Sequence, residues 1–536
     1  MIVKALQKQK LIIIPLSIGL LLLLTSWFLG YPLSFNSPLE FLFNHISPLY
    51  WIGLPIFLAS LYLAATTTKN RKLILVTCIL IVTSMYGLEY FYYLLPSSDA
   101  LYVRGLTEYA LSHSDLDSSK HYHSYFQWPS FFTLSKATVI TTGLQLAQFE
   151  FILFAAMGVL YVMCLYAYAS SYSEKGSYLA VIAYFVIMYW FLNYQFAPFS
   201  LATVFLFLLF MVETLAFRTR STAILTVTIF ACVIFVHAFA AVFFILYVLV
   251  MYALDRRTYY LRLFFVTLVM YLSVAAFFTP SFFTLAIEEL RSALSFQYTT
   301  IVTQTFSGRL APSPPIDAIA EAFSRGIVLS TGAVVALGFL LILFSRKLRK
   351  VDSAIFISSL IYSLAGAVLP ILGNRAWFAL VIPVVLGISY FARGKYEKYV
   401  TVFFLVVLVL FPFIPLTGSF SDREVFFQTK SDYACANFAV SYYNWTEQSS
   451  VFSHYRVMTY LEAKTAAIGT NFENDLAPGL PANIGNSDCI VFTEGLAVNL
   501  LPYNYSVAQL LGRSTCNVIF DSGSSYIALN ASRFGS

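Results

Sequence analysis

AILTVTIFACVIFVHAFAAVFFILYVLVMYAL, residues 223–254, carries no acidic or basic side chain other than His237. Arg218 and Arg220 precede this run, and Arg256, Arg257 and Arg262 follow it. Lysine and arginine gather on the cytoplasmic side of membrane spans. Both flanks therefore belong on the same side, and the chain crosses an even number of times between them. A single long helix would leave the two flanks on opposite sides. Two short helices that turn at the outer face, close to His237, satisfy both.

Working outward, a bilayer core of ~30 Å takes roughly 20 apolar residues per helix. Further runs of about this length lie at 11–29, 49–67, 73–95, 149–171, 177–193 and 199–216, and again at 261–280, 327–345, 353–372, 376–392 and 399–417. With the hairpin at His237 the expectation is about thirteen transmembrane helices, with a cytoplasmic N-terminus and an external C-terminus. The short segments that this topology places inside hold 19 of the 32 lysines and arginines; the outer loops hold seven. The first run follows Lys4, Lys8 and Lys10 and has no small-residue cleavage site, so it reads as an uncleaved helix. Composition agrees. Only 11% of residues are charged, against about 25% in soluble domains. The net charge of +6 follows the inner loops and is topology, with no nucleic-acid footprint implied.

The chain divides into an N-terminal two-helix extension (1–72), a transmembrane domain (73–417) with long outer loops at 96–148 and 281–326, and a C-terminal domain (418–536). The expected class is an all-α polytopic membrane protein with a small extracytoplasmic mixed α/β domain. In the tail, Asp488-Cys-Ile-Val-Phe and Asn517–Asp521 read as strands, and Ser522-Gly-Ser-Ser as a turn before Tyr526-Ile-Ala-Leu. Tyr505–Leu511 reads as helix. Sequons at Asn444, Asn504 and Asn530 all fall on the outer side and are expected glycosylation sites. Cys78, Cys164 and Cys232 lie in apolar runs as buried small hydrophobes. Cys435, Cys489 and Cys516 allow one disulfide, with its pairing open.

The first long outer loop carries the most chemistry. Tyr92-Tyr-Leu-Leu-Pro96 ends a helix, and Ser97-Ser98-Asp99 puts a carboxylate at the outer membrane boundary. Leu101, Leu106, Tyr109 and Ala110 then space out as an amphipathic helix lying on the membrane surface. His121-Tyr-His-Ser-Tyr-Phe-Gln-Trp-Pro-Ser-Phe-Phe follows, an aromatic run suited to headgroup depth.

This layout resembles the GT-C superfamily of membrane glycosyltransferases, which transfer sugars from lipid phosphates on the extracytoplasmic side. The Tyr194-Gln-Phe-Ala-Pro198 turn, the His237 hairpin, Asn374-Arg375 and the ending Asn517-Val-Ile-Phe-Asp-Ser-Gly resemble archaeal and bacterial members. The pattern starts only after the third helix. The Trp-Trp-Asp-Tyr-Gly signature of oligosaccharyltransferases is absent, so single-sugar transfer is the closer match.

The resemblance implies a polyprenyl-phosphate-linked sugar donor, a glycan, lipid or protein acceptor, and a cell-membrane location among membrane lipids. Such a reaction needs a base for the acceptor hydroxyl and donors for the leaving phosphate. Asp99 is the expected catalytic base; its alternative role is capping the helix that follows. Arg375, His237, Arg104, Glu89 and Tyr102 are the expected substrate-binding residues. No cofactor follows from the residues; a divalent metal at His121 and His123, with Asp99 or Asp117, is the alternative left open. Rival readings are a non-catalytic surface-assembly or anchoring protein and a lipid or glycolipid transporter. Glu89, Glu150 and Glu213, few and near helix ends, argue against the transporter.

Overall fold

The computed structural model describes residues 2–29, 47–67, 71–91, 100–113, 125–171, 177–181, 196–215, 220–280, 349–368 and 437–441, five short strands between 450 and 530, and scattered single residues. Among these residues, eleven helices are defined: α1 (Ile2–Phe28), α2 (Pro48–Thr67), α3 (Arg71–Phe91), α4 (Ala100–Ser112), α5 (Ser130–Thr142), α6 (Leu146–Ser170), α7 (Pro198–Leu215), α8 (Arg220–Val236), α9 (Ala238–Asp255), α10 (Thr258–Phe278) and α11 (Lys350–Val368). By length and composition α6, α9 and α10 can each cross a membrane, and shorter apolar stretches occupy α1, α2, α7 and α8. The chain is a membrane protein built of α-helices. Its outward faces show why: on α10, Phe265, Val266, Val269, Leu272 and Phe277 are all exposed, an apolar surface that water would not tolerate over such an extent.

The run that opens the sequence reading is two helices. His237 takes an extended backbone, with φ −164° and ψ 123°. Its N–H still donates to Val233 O at 2.8 Å, closing α8. Its ring Nδ1 accepts from Phe239 N at 3.3 Å, capping α9. Phe230 and Phe244, seven residues before and after it, bring their ring centroids to 5.5 Å. Thr226 Oγ1 of α8 and the Tyr259 hydroxyl of α10 both donate to Glu213 Oε1 of α7, at 3.1 and 3.0 Å. Along a continuous rod, positions 226 and 259 would stand about 50 Å apart at 1.5 Å per residue. Sharing one oxygen requires that α8 and α9 double back on each other.

A cluster of charge gathers at one end of the bundle. Asp255, closing α9, pairs with Lys350 Nζ at 2.6 Å and with Arg257 Nε at 3.0 Å. Arg349 pairs with Asp352 in the first turn of α11 and donates to Ser171 Oγ, just past α6, at 3.1 Å. The trailing ends of α6 and α9 and the leading ends of α10 and α11 thus share one face. The leading end of α6 lies at the other.

At that other end α4, α5 and α6 pack together. Gly143, with φ +68°, ends α5 and lets the chain enter α6 within three residues. Gln148 Oε1 accepts from Gln145 N at 3.0 Å and closes the first turn of α6. Helix α4 departs from expectation. Val103, Leu106, Thr107 and Ala110 are fully buried and Tyr109 nearly so. The apolar stripe read as lying on the membrane is spent on protein contacts, including Tyr109 against Phe126.

Helices α1 and α2 pack closely enough to exclude a methyl group. A Cβ on Gly19 would come within 2.8 Å of the Phe57 backbone nitrogen, and one on Gly53 within 2.8 Å of Leu22 Cβ. Small residues at such a contact let two membrane helices gain dispersion energy along their length. Cys78 and Cys164 are buried as expected; Cys232 is exposed on the outward side of α8, a correction to the reading of all three as buried.

In the C-terminal region five strands form one mixed sheet in the order β2-β1-β3-β5-β4. They are β1 (Ser450–Ser453), β2 (Asn471–Glu473), β3 (Cys489–Phe492), β4 (Cys516–Asp521) and β5 (Tyr526–Asn530). β1 runs parallel to β2 and β3, and β5 lies antiparallel between β3 and β4, with a bulge in β4 between Val518 and Phe520. The three strands read from sequence lie within a residue of β3, β4 and β5. The helix read at 505–511 falls outside the described residues. Cys489 and Cys516 sit on either side of β5, two strand spacings or about 10 Å apart. A disulfide spans at most about 7 Å between Cα atoms, so these two cannot pair with each other.

Candidate functional site

Buried charge is rare in an apolar bundle and expensive, so its location is informative. Arg104, one turn into α4, donates from Nε to Glu108 Oε1 at 3.2 Å and from Nη1 to Glu150 Oε2 at 3.1 Å. The first partner is one turn along the same helix, a spacing that always brings side chains together. The second is 46 positions away, at the start of α6, and the α5–α6 turn at Gly143 delivers it. Only 4% of the Glu150 side chain is exposed.

A fourth side chain arrives from the far C-terminal part of the chain. The fully buried Tyr460 donates its hydroxyl proton to Glu108 Oε2 at 2.7 Å. Asn437 also meets this hydroxyl. Tyrosine has one proton to give, and of its two acceptors here, Glu108 Oε2 and Asn437 Oδ1, the charged carboxylate makes the stronger bond. Three segments far apart in sequence, around 104–108, 150 and 437–460, therefore meet in one hydrogen-bonded network. Among the described residues it holds one cation and two carboxylates. Glu108 uses both oxygens within it. Among the described residues Glu150 uses Oε2 alone, and its buried Oε1 has no hydrogen-bond partner.

A line of rings runs from this network to the α8–α9 reversal. Tyr102 on α4 meets Tyr125 edge-on at 5.7 Å, and Tyr125 meets Trp128 edge-on at 6.4 Å. Trp128 stacks on His237 at 6.0 Å with 20° between planes, and Phe199 approaches the same imidazole at 5.0 Å. Because Nδ1 accepts the cap bond from Phe239, the ring proton of His237 is on Nε2. The aromatic run read as a headgroup belt is at least partly an internal scaffold, since Phe126 and Gln127 are buried.

Of the residues singled out from sequence, Arg104, Tyr102 and His237 fall on this network and its aromatic extension. Asp99, Arg375, His121 and His123 lie outside the described residues, as do Asn444 and Asn504. Glu89 lies within α3 and Asn530 ends β5, paired in register with Cys516. Among the described residues no group of three His, Cys, Asp or Glu side chains could hold a metal ion. Sequence reading passed over Glu108 and Tyr460, and used Glu150 only as an argument against a transporter. The spacing of Glu108 from Arg104 was a usable signal. So was the isolation of Glu150 in an apolar span, since such a charge must find a partner. Nothing near Tyr460 marks it.

No family model matches the chain, and no curated protein matches it. Solved structures similar to it include the following two. The first is an oligosaccharyltransferase from Archaeoglobus fulgidus, in complex with zinc and sulfate, at 13% identity and a TM-score of 0.44, covering 85% of this chain and 73% of that one. The second is ArnT from Cupriavidus metallidurans bound to undecaprenyl phosphate, at 12% identity and a TM-score of 0.41, covering 87% of this chain and 99% of that one. At these levels no residue role is transferred from either to this chain.

Proposed function

We propose that this chain is a GT-C-like membrane glycosyltransferase that takes a sugar from a polyprenyl-phosphate-linked donor and passes it to an acceptor at the extracytoplasmic face. In this reading the chain crosses the membrane about thirteen times, its N-terminus is cytoplasmic, and the C-terminal sheet is outside. The charged cluster around Asp255 and Lys350 lies at the inner face, and the Arg104 network at the outer one.

The observation that carries the reading is the buried Arg104–Glu108–Glu150–Tyr460 network. Helix α4 starts at Ala100, the residue after Asp99, and Arg104 follows the proposed base by five positions in sequence. An ionic network of this kind contributes little net stability after desolvation, and loses several kcal/mol when broken. Its retention at one end of an apolar bundle is accounted for by a role in a site.

The chemistry follows from these groups. The Asp99 carboxylate takes the proton of the acceptor hydroxyl. The freed oxygen attacks C1 of the sugar, the bond from C1 to the phosphate oxygen breaks, and the lipid phosphate leaves with its electron pair. Arg104 already faces two carboxylates, so its charge is answered within the protein. Stabilising the leaving phosphate therefore falls to Arg375, and Arg104 holds α4 and α6 in register beside the base.

The test is mass spectrometry of surface glycans and lipid-linked sugars in cells lacking this protein, complemented with wild type or Asp99→Asn at matched membrane abundance. Restoration by wild type alone supports both the transferase and the base. Equal restoration by both makes Asp99 a helix cap. A deletion that alters no glycan removes the transferase reading in favour of an anchoring protein.

A further inference from the structure

The network contains a vacant position that matters for how it works. Arg104 has a planar fork of donors, and a guanidinium that faces a carboxylate prefers to engage both oxygens in parallel. Glu150 offers both oxygens in principle, yet Arg104 bonds Oε2, and among the described residues the buried Oε1 has no donor. A buried acceptor left in that state is costly, and more so when charged. Something holds Arg104 away from the arrangement that Glu150 alone would favour.

That something is Glu108, and behind it Tyr460. Glu108 Oε1 takes Arg104 Nε, and Glu108 Oε2 takes the Tyr460 hydroxyl. Glu108 is on the same helix as Arg104 and its side chain could adopt other rotamers; the bond from a fully buried tyrosine, 352 positions away, fixes one of them. We propose that Tyr460 is a positioning residue of the site. By pinning Glu108 it keeps Arg104 split between Glu108 and Glu150. When Tyr460 withdraws, Arg104 swings to engage both oxygens of Glu150. The C-terminal region is thereby coupled to the site: its docking selects one of two hydrogen-bond arrangements of Arg104, a few residues from Asp99. This rests on the transferase reading, in which the C-terminal sheet lies on the same outer side as the Arg104 network.

The arrangement makes a specific prediction about paired substitutions. Tyr460→Phe keeps the buried ring and removes only the hydroxyl. Glu150→Gln keeps the volume and one acceptor for Arg104, and replaces the spare oxygen with an NH2 group that cannot accept a second guanidinium bond. In the complemented cells, Tyr460→Phe is expected to lower glycan output about tenfold at unchanged membrane abundance, the equivalent of one lost hydrogen bond to a charged group. Adding Glu150→Gln is expected to bring output back to the level of Glu150→Gln alone, because the competing arrangement is no longer available. A merely structural tyrosine gives additive losses in the double variant, and that result overturns the proposal, as does full activity of Tyr460→Phe.

A second readout needs no activity. The four full-length proteins, purified in nanodiscs, are compared by thermal unfolding, with the coupling taken as the double-variant shift minus the sum of the two single shifts. Non-zero coupling is expected although Tyr460 and Glu150 share no direct hydrogen bond. Zero coupling overturns the proposal even if glycans change on deletion. Unchanged glycans on deletion with non-zero coupling remove the transferase reading and leave the Tyr460 switch standing.

Discussion

Arg104 and Glu150 are joined at 3.1 Å across 46 positions of sequence, and the carboxylate is 4% exposed at the head of a membrane helix. Removing the guanidinium strands that charge. Arg104→Met is expected to destabilise the purified protein by roughly 3 kcal/mol or more, the range for breaking a buried pair from one side. Arg104→Met with Glu150→Met is expected to be less destabilised than Arg104→Met alone, because the most deeply buried carboxylate is gone and Glu108, which also loses its cation, keeps the Tyr460 hydroxyl. Thermal midpoints in one detergent check this; a double variant worse than either single one would count against the pair being buried.

At the α1–α2 contact the backbone itself is in the way. Gly19→Ala places a methyl group 2.8 Å from the Phe57 nitrogen, which cannot rotate aside. Overpacking of this kind costs about 1–3 kcal/mol, and Gly19→Leu is expected to cost more. Gly143→Ala meets nothing within 4 Å and pays only for its left-handed backbone, about 1 kcal/mol. The order Gly143→Ala, Gly19→Ala, Gly19→Leu in falling membrane abundance and thermal midpoint is the expected result.

His237 has two separable duties, capping α9 and stacking on Trp128. Asparagine can accept the cap bond but presents no ring. His237→Asn is therefore expected to keep about 1 kcal/mol of stability that His237→Ala loses, the worth of an N-cap. Both are expected to lose the stacking. Thermal unfolding separates the two, and equal midpoints would mean that the cap contributes nothing.

The sheet register excludes one disulfide outright. Peptide mapping without reduction is expected to find no linkage between Cys489 and Cys516, whose backbones flank β5. Any bridge found among the three C-terminal cysteines must involve Cys435. Detection of a 489–516 linked peptide would show that the strand order is wrong.

Orientation is testable with single cysteines at the two ends. Thr142→Cys, exposed at the end of α5, is expected to react with a membrane-impermeant maleimide in intact cells. Arg257→Cys is expected to react only after permeabilisation. The reverse pattern would turn the whole topology over and place the Arg104 network in the cytoplasm.

Much of the fold was legible in the sequence because the bilayer imposes a simple grammar. The charges flanking 223–254 required an even number of crossings, and the reversal at His237 is where the apolar run had its lone polar ring. Three of the five strands of the tail were legible from alternation and turn residues, and β1 and β2 were not. The network was legible only in part. Arg104 and its i+4 neighbour lie within one helical turn, where spacing alone implies contact. The Arg104–Glu150 and Tyr460–Glu108 pairs depend on how α4, α6 and the C-terminal region are set in space, and no local pattern encodes that. The burial of α4 was misread for a related reason. An apolar stripe states that a helix covers something, and leaves open whether lipid or protein is beneath it.

The two charged clusters at the ends of α6 also act as a ruler. Glu150 is anchored at one end and Ser171, through Arg349, at the other, 21 residues apart. At 1.5 Å per residue that is about 31 Å, close to the ~30 Å of an average hydrocarbon core. Neither anchor can sink into lipid without giving up its partner, so the helix cannot slide along the membrane normal. A thicker bilayer must thin around it, and a thinner one must force it to tilt. The protein therefore sets the thickness of the lipid it accepts, and its thermal midpoint should track acyl-chain length with an optimum rather than a steady trend.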